Sequence, residues 1–283
     1  MSNPIKNFLN DFSIEVTPRA VAKIENLSEL IPPETLVYIA HIEGTPIDEM
    51  VKTAKKINDQ GYVTMPHFPA RIIKDKNTLK DWISRYQNEA NVNNALLLGG
   101  GVKKPYGDYD SSIQLIESEL FDIAGFNKLY FAGHPEGNKD IDPDGSTKNI
   151  DEALSWKNDF RNRTDADMAI TTQFCFDSKT VINWANDIKS KGINIPIHIG
   201  IAGPAKLQTL LRYSIECGVG ASIKILQKRA LDLTKLLLPY KPTNILSELA
   251  EYKFNNPDLN IEKVHFFPLG GVKQVSKFVR DIA

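Results

Sequence analysis

Short apolar runs alternate with amphipathic segments from one end of the chain to the other. The runs are Ser13 to Val16, Leu36 to Ile42, Val63 to His67, Ala95 to Leu98, Lys128 to Ala132, Met168 to Phe176, Ile195 to Ile201 and Val264 to Leu269. Between them, apolar residues recur at helical spacing, as in Ile47-Met50-Val51-Ala54-Ile57 and Val181-Ile182-Trp184-Ala185-Ile188. Gly61 and Gly192 close two such patterns just before a strand, where a helix end favours glycine. The runs are almost continuously apolar, which suits parallel strands covered by helices. Strand-helix alternation predicts an α/β fold. Eight repeats predict one closed (β/α)8 TIM barrel over residues 1–283, with a doubly wound sheet as the competing architecture. More than sixty residues separate Ile201 from Val264, so the stretch Ala205 to Ile261 between strands seven and eight is expected to hold two or three helices instead of one.

Composition narrows the function. The 283 residues carry 34 Lys+Arg against 35 Asp+Glu, a formal net charge of -1. That balance argues against nucleic-acid binding through bulk charge. Cys175 and Cys217 have no CxxC partner, so neither a zinc site nor a disulfide framework is signalled. Met1 to Phe12 lacks the apolar run of a secretory signal. No stretch approaches the ~20 apolar residues of a membrane span. The expectation is a cytoplasmic protein without a membrane partner; the sequence is also compatible with a homo-oligomer.

In a barrel of this kind, polar residues at the carboxyl ends of strands are where chemistry sits. Glu15 interrupts the first strand. His41 ends the second and Pro66-His67 the third, and Gly99-Gly100-Gly101 follows the fourth. Gly133-His134-Pro135-Glu136-Gly137 ends the fifth, Gln173 lies in the sixth, and Gly200 and Gly270 close the last two. Glu15 reads equally as a catalytic carboxyl or as half of a structural ion pair. His198 and His265, nearer strand centres, are expected to be hydrogen-bonded core residues. The strand-end histidines lack an HxH pair or an aspartate at metal spacing, so a metal-dependent hydrolase is weakly supported and no metal is expected. The triple glycine offers backbone N–H groups to a phosphate, or makes a tight turn. Asp140, Asp142, Asp144, Gly145 and Asp151 match most of a calcium-loop spacing but lack the preceding helix, and read as a solvated acidic turn.

With these residues in order, the chain resembles the methylenetetrahydrofolate reductase family along nearly its whole length. Ser13-Ile14-Glu15-Val16-Thr17-Pro18-Arg19 is similar to the family's first strand with its essential Glu and Pro-Pro-Arg. Pro66-His67 is similar to its third-strand Pro-His. Gly133 to Gly137 is similar to Gly-Tyr-Pro-Glu-Gly-His. Thr172-Gln173-Phe174-Cys175-Phe176-Asp177 is similar to Thr-Gln-Phe-Phe-Phe-Asp, the most specific match. His265-Phe266-Phe267-Pro268-Leu269 is similar to the last strand, His-Phe-Tyr-Thr-Leu. The resemblance implies a TIM barrel that binds FAD and passes hydride between NAD(P)H and 5,10-methylenetetrahydrofolate, giving 5-methyltetrahydrofolate. It implies Glu15 as the acid that protonates the folate nitrogen. It implies Gln173, Phe174 and Gln227 as substrate contacts. His41, His67, Gly99, Gly100, Gly101, His134, Glu136, Asn138, Arg161 and Arg163 fall to the cofactors.

The departures bear on the flavin. Gly99-Gly100-Gly101 stands where the family has Arg-Gly-Asp, His134 and Asn138 replace its Tyr and His, and Gly271 replaces an Arg that contacts folate. Two routes follow: FAD held by altered contacts, or NAD(P)H passing hydride directly to the folate, which fits the losses better. The alternative function is a folate-binding barrel without reductase activity, of methyltransferase type.

Overall fold

A computed structural model describes residues 4–219, 224–227 and 238–282. Its strands are β1 (Ser13–Val16), β2 (Val37–Ile39), β3 (Thr64–Pro69), β4 (Asn94–Leu98), β5 (Lys128–Gly133), β6 (Asp167–Thr172), β7 (Ile197–Ala202) and β8 (Ile261–Phe267). They form a closed barrel in sequence order, and β8 pairs in parallel with β1 through Ser13↔His265 and Ile14↔Phe266. Helices separate the strands, so the architecture is the expected (β/α)8 barrel. The long stretch before β8 carries helices Leu207–Glu216 and Thr243–Asn255, with a further helical stretch at residues 224–227.

The strand limits shift where backbone donors and polar residues intervene. β7 begins at Ile197 and not Ile195, because Pro196 has no N–H to give the ladder. β8 begins at Ile261, ahead of the expected Val264; Glu262 and Lys263 broke the apolar pattern that marked it. β6 stops at Thr172, so Gln173 lies just past the strand, its N–H bonded to the Gly133 carbonyl at 2.9 Å.

Packing groups the chain into two compact units, each built from separated segments: residues Glu15–Ala132 with Trp156–Ile170, and residues Met1–Ile14 with Gly133–Ser155 and Thr171–Ala283. In the first, every second strand residue turns to one face. Leu36, Tyr38, Met65, Leu96, Tyr130 and Ala169 form one buried cluster there. Phe131, on the other face of β5, carries the amine of Lys157 5.0 Å above its ring. That lysine is buried on helix Lys148–Phe160, and burial lowers its amine to about 8.

The second unit holds the β7–β8 ladder, from Ile197↔Ile261 to Ala202↔Phe267. Gly200 sits where a Cβ would lie 2.2 Å from the Thr172 carbonyl oxygen, so only glycine lets the chain after β6 close on β7. His198 and His265 are fully buried and bonded as expected. His198 pairs with Glu262 at 3.0 Å, and His265 Nδ1 with the Ser13 hydroxyl at 2.9 Å.

Lys157 predicts a stability effect with a defined sign. Its folded value, about 8, lies below the ordinary value of 10.5, so the unfolded chain holds the proton more tightly and stability rises as pH climbs from 8 towards 10.5. Lys157→Met is expected to stabilise the protein at neutral pH, by roughly 2–3 kcal/mol. The gain should shrink as alkaline pH neutralises the parent lysine. Chemical denaturation across that pH range checks it; a variant less stable than the parent at neutral pH would contradict the assignment.

Candidate functional site

In the unit that begins at Glu15, β1 delivers that residue to the carboxyl end of the strand. Thr17 then caps helix Pro18–Val21 by accepting the Ala20 N–H at 3.2 Å, which turns the chain outward directly after the carboxylate. His67 lies two residues beyond Met65 on β3, and therefore shares the inner face of that strand. Its backbone position is fixed by pairing with Leu96 of β4. Its ring stands edge-on to Tyr38, centroids 6.4 Å apart. Nε2 of His67 lies 3.2 Å from Oε2 of Glu15, and the two side chains are 10% and 19% exposed. The pair is thus shielded without being sealed from water.

His41 lies just past β2, stacked on Trp82 at 4.9 Å, with Nε2 against the Thr45 carbonyl at 2.9 Å. Burial, and secondarily the neighbouring His67, hold its imidazole below the ordinary value. An Nε2–H donated to Thr45 leaves the ring neutral with Nδ1 as acceptor.

The triple glycine follows β4. Gly99 accepts the Arg71 N–H at 2.9 Å, and Gly100 turns with φ of 99° where a Cβ would meet Pro69 at 3.0 Å. The Arg71 guanidinium reaches back over this loop, but it is committed: to Asp110 Oδ1 at 2.7 Å, the Asp110 carbonyl at 3.1 Å and the Val102 carbonyl at 3.3 Å. Lys103 and Lys104 follow, exposed. Arg161 and Arg163 are elsewhere. They form a 3-10 turn immediately before β6, at the amino ends of the strands, and Arg163 lies 5.3 Å over Trp156 and 5.4 Å over Phe160. The structure does not bring them to Glu15, His41 and His67.

In the other unit, Gln173 is anchored through its backbone to β5 and through its amide to the end of helix Leu207–Glu216, where Nε2 donates to the Cys217 carbonyl at 3.0 Å. The Thr172 hydroxyl locks this junction, accepting the Gly200 N–H at 2.8 Å and donating to the Gln173 carbonyl at 2.9 Å. Phe174 is buried against Phe176 and Phe267, and so acts through packing. Burial first, and then the charges of Glu136 and Asp177, push the Cys175 thiol well up, keeping it unreactive. His134 and Glu136 are half-buried in the loop after β5, and Asn138 caps the next turn by accepting the Asp140 N–H at 2.9 Å. Gln227 is exposed on the short helical stretch at residues 224–227.

The acidic turn corrects the sequence reading in one respect. Asp142 is buried, 1% exposed, and accepts the N–H groups of Asn149 at 2.9 Å and Ile150 at 3.1 Å at the start of helix Lys148–Phe160. Asp144 caps Ser146, and Asp151 pairs with Lys191 at 2.8 Å. The carboxylates serve helix capping and a surface ion pair. Among the described residues no group of three or more His, Cys, Asp or Glu side chains is arranged to hold a metal ion. No described helix is long and apolar enough to cross a membrane.

Reasoning from the sequence did not find Tyr38, Trp82 or Arg71. Tyr38 was legible through alternation with Leu36 on one strand face. Trp82 and Arg71 reach the site from a helix and a turn, and no local pattern announces that.

No protein-family model matches the chain. Solved structures are similar to it. One is an uncharacterized protein from Clostridium thermocellum that binds two copies of 5-methyl-5,6,7,8-tetrahydrofolic acid, with TM-score 0.58, 13% identity, and coverage of 98% of this chain and 97% of that one. Others are the Thermobacillus composti GH10 xylanase (TM-score 0.46, 12% identity, 94% and 86% covered) and Yersinia pestis DHPS with a pterine-sulfa conjugate (TM-score 0.45, 9% identity, 98% and 93% covered).

The capping role of Asp142 has a direct check. Asp142→Ala is expected to destabilise the protein by about 1–2 kcal/mol through the loss of two buried N–H partners. Thermal melts of parent and variant with calcium and with chelator should show the same difference in both. A parent melting temperature that rises with calcium and a variant that does not respond would restore the calcium loop.

Proposed function

We propose that the protein binds a tetrahydrofolate derivative at the carboxyl ends of its strands and interconverts 5,10-methylenetetrahydrofolate and 5-methyltetrahydrofolate, with NAD(P)H as the hydride partner. The observation that carries this reading is the carboxyl of Glu15, held 3.2 Å from His67 at a strand end and partly exposed. In the reducing direction the bond from the bridging carbon to one folate nitrogen breaks. That nitrogen takes a proton from Glu15, and the carbon receives hydride from the nicotinamide. One proton and one hydride are consumed for each methyl group formed, and water restores the proton to the carboxyl. The resemblance in sequence order and the 5-methyltetrahydrofolate-binding barrel of similar fold both support a folate as substrate.

The residues present do not fit the flavin that the resemblance implies. Gly99 has no side chain to offer the flavin phosphates, the neighbouring Arg71 is tied to Asp110, and Arg161 and Arg163 lie at the amino ends of the strands. No step is routed through FAD; the hydride passes directly from NAD(P)H to the folate. Gln173 is assigned to the pterin, with an amide already oriented by Cys217. A second reading, a folate-binding barrel without reductase activity, is favoured by one feature: Gly101 stands where the resemblance places the aspartate that steadies the substrate cation.

The test mixes purified protein, NADH or NADPH and methylenetetrahydrofolate, and follows the nicotinamide absorbance. A colourless preparation that oxidises the nicotinamide is expected. Glu15→Gln should reduce turnover at least about 100-fold with an unchanged melting curve. Folate binding without nicotinamide oxidation would favour the second reading. A yellow preparation with a flavin spectrum would overturn direct transfer, and a fully active Glu15→Gln protein would remove Glu15 from its role.

A further inference from the structure

Between Val102 and Tyr109, both buried, the chain after β4 presents an exposed aromatic ring and two exposed amines. We propose that Tyr106, Lys103 and Lys104 form the subsite for the benzoyl-glutamate tail of the folate, with the ring against the benzoyl group and the amines on the carboxylates of the tail. The inference rests on the folate reading above and adds to it a preference for a tail of several glutamates.

Three observations converge. First, the segment is pinned along its length. The Tyr106 N–H donates to the Arg71 carbonyl at 2.8 Å and the Asp108 N–H to the Lys74 carbonyl at 2.9 Å. Gly107 runs so close to Lys74 that a Cβ would lie 1.7 Å from its carbonyl oxygen, so only glycine fits between these two bonds. Pro105 fixes one more dihedral angle. The side chains of residues 103–108 therefore project from a backbone already in place, which lowers the ordering cost of binding.

Second, Tyr106 is 58% exposed, yet its hydroxyl is tethered, donating to the Glu43 carboxylate in the chain after β2. Ile42, beside Glu43, is 56% exposed. A ring fixed at its hydroxyl and open elsewhere offers a face for an aromatic ligand to stack on. The tether also ties it to the surroundings of Glu15. The Ala40 N–H donates to the Val16 carbonyl at 2.8 Å, so the stretch leading to Glu43 is bonded to the residue that follows Glu15. A folate with its reacting nitrogen at Glu15 must send its tail out past the strand ends, because Leu36, Tyr38, Met65, Leu96, Tyr130 and Ala169 fill the inner face of these strands. Third, the amines are available. Among the described residues, neither Lys103 nor Lys104 makes an ion pair. The acids around them are engaged: Asp110 with Arg71 at 2.7 Å, and Glu43 with Tyr106. That leaves the exposed Asp108 against two lysines. Each glutamate added to a folate tail brings one more carboxylate, and amines on long flexible stems suit such a repeated point charge.

Equilibrium dialysis against 5-methyltetrahydrofolate carrying one glutamate or three tests this without relying on catalysis. The wild-type protein is expected to bind the triglutamate about fivefold more tightly, with the difference shrinking at high salt. In the double variant Lys103→Ala with Lys104→Ala, that difference should vanish. Tyr106→Ala should weaken both forms by about tenfold, and Tyr106→Phe, which keeps the ring, by less than about threefold. Melting curves verify that each variant is folded. A preference that survives the loss of both lysines would overturn the contact with the carboxylates. Full affinity in Tyr106→Ala would overturn the stacking face. Wild-type binding that ignores tail length removes this subsite and leaves the folate reading standing, whereas no folate binding at all removes both.

Discussion

A barrel has no edges only if its first strand finds its last, and here that closure rests on little chain. β1 is four residues long, and its first two pair with His265 and Phe266. The buried bond between the Ser13 hydroxyl and His265 Nδ1 fixes the register from within. A slip of one residue would turn every side chain of β1 to the opposite face. Glu15 would leave the inner face, and the carboxyl would lose His67. The chemistry proposed for this chain therefore depends on a polar contact at the other end of the same short strand.

The rest of the site follows a division of labour common to such barrels. Strands set positions, and the segments after them supply chemistry. His67 owes its placement to β3, whose six residues are all buried. Gln173 owes its own to a junction that tolerates only glycine at position 200 and uses the Thr172 hydroxyl as both donor and acceptor. Arg71 shows the opposite arrangement: a cation near the triple glycine that is spent on holding its own loop.

Much of this could be read from the sequence, for identifiable reasons. Eight apolar runs with helical spacing between them were sufficient for the barrel, because parallel strands under helices leave a strong local signature. Glu15 was legible because a carboxylate in an apolar strand is unusual. Its partner was not, because Glu15 and His67 are distant in sequence and only the closed sheet places their strands. The start of β8 was hidden by Glu262 and Lys263, whose partners, His198 and Asp11, lie in other parts of the chain. Arg161 and Arg163 were matched by resemblance in a register that the backbone does not support; stacking on Trp156 and Phe160 explains Arg163 without a ligand. Asp142 looked like a solvated acid because spacing says nothing about which N–H groups a carboxylate will meet.

The seam between the first and last strands also governs how the chain is made. Ser13 and His265 are separated by 252 positions, so all of the chain between them must leave the ribosome before they can meet. Until then β1 waits beside an unfinished sheet whose flank is open to other chains. Closure is a long-range event with a correspondingly slow search. A nascent chain stalled before Ile261 would carry β1 from the start and yet lack the last strand that it pairs with.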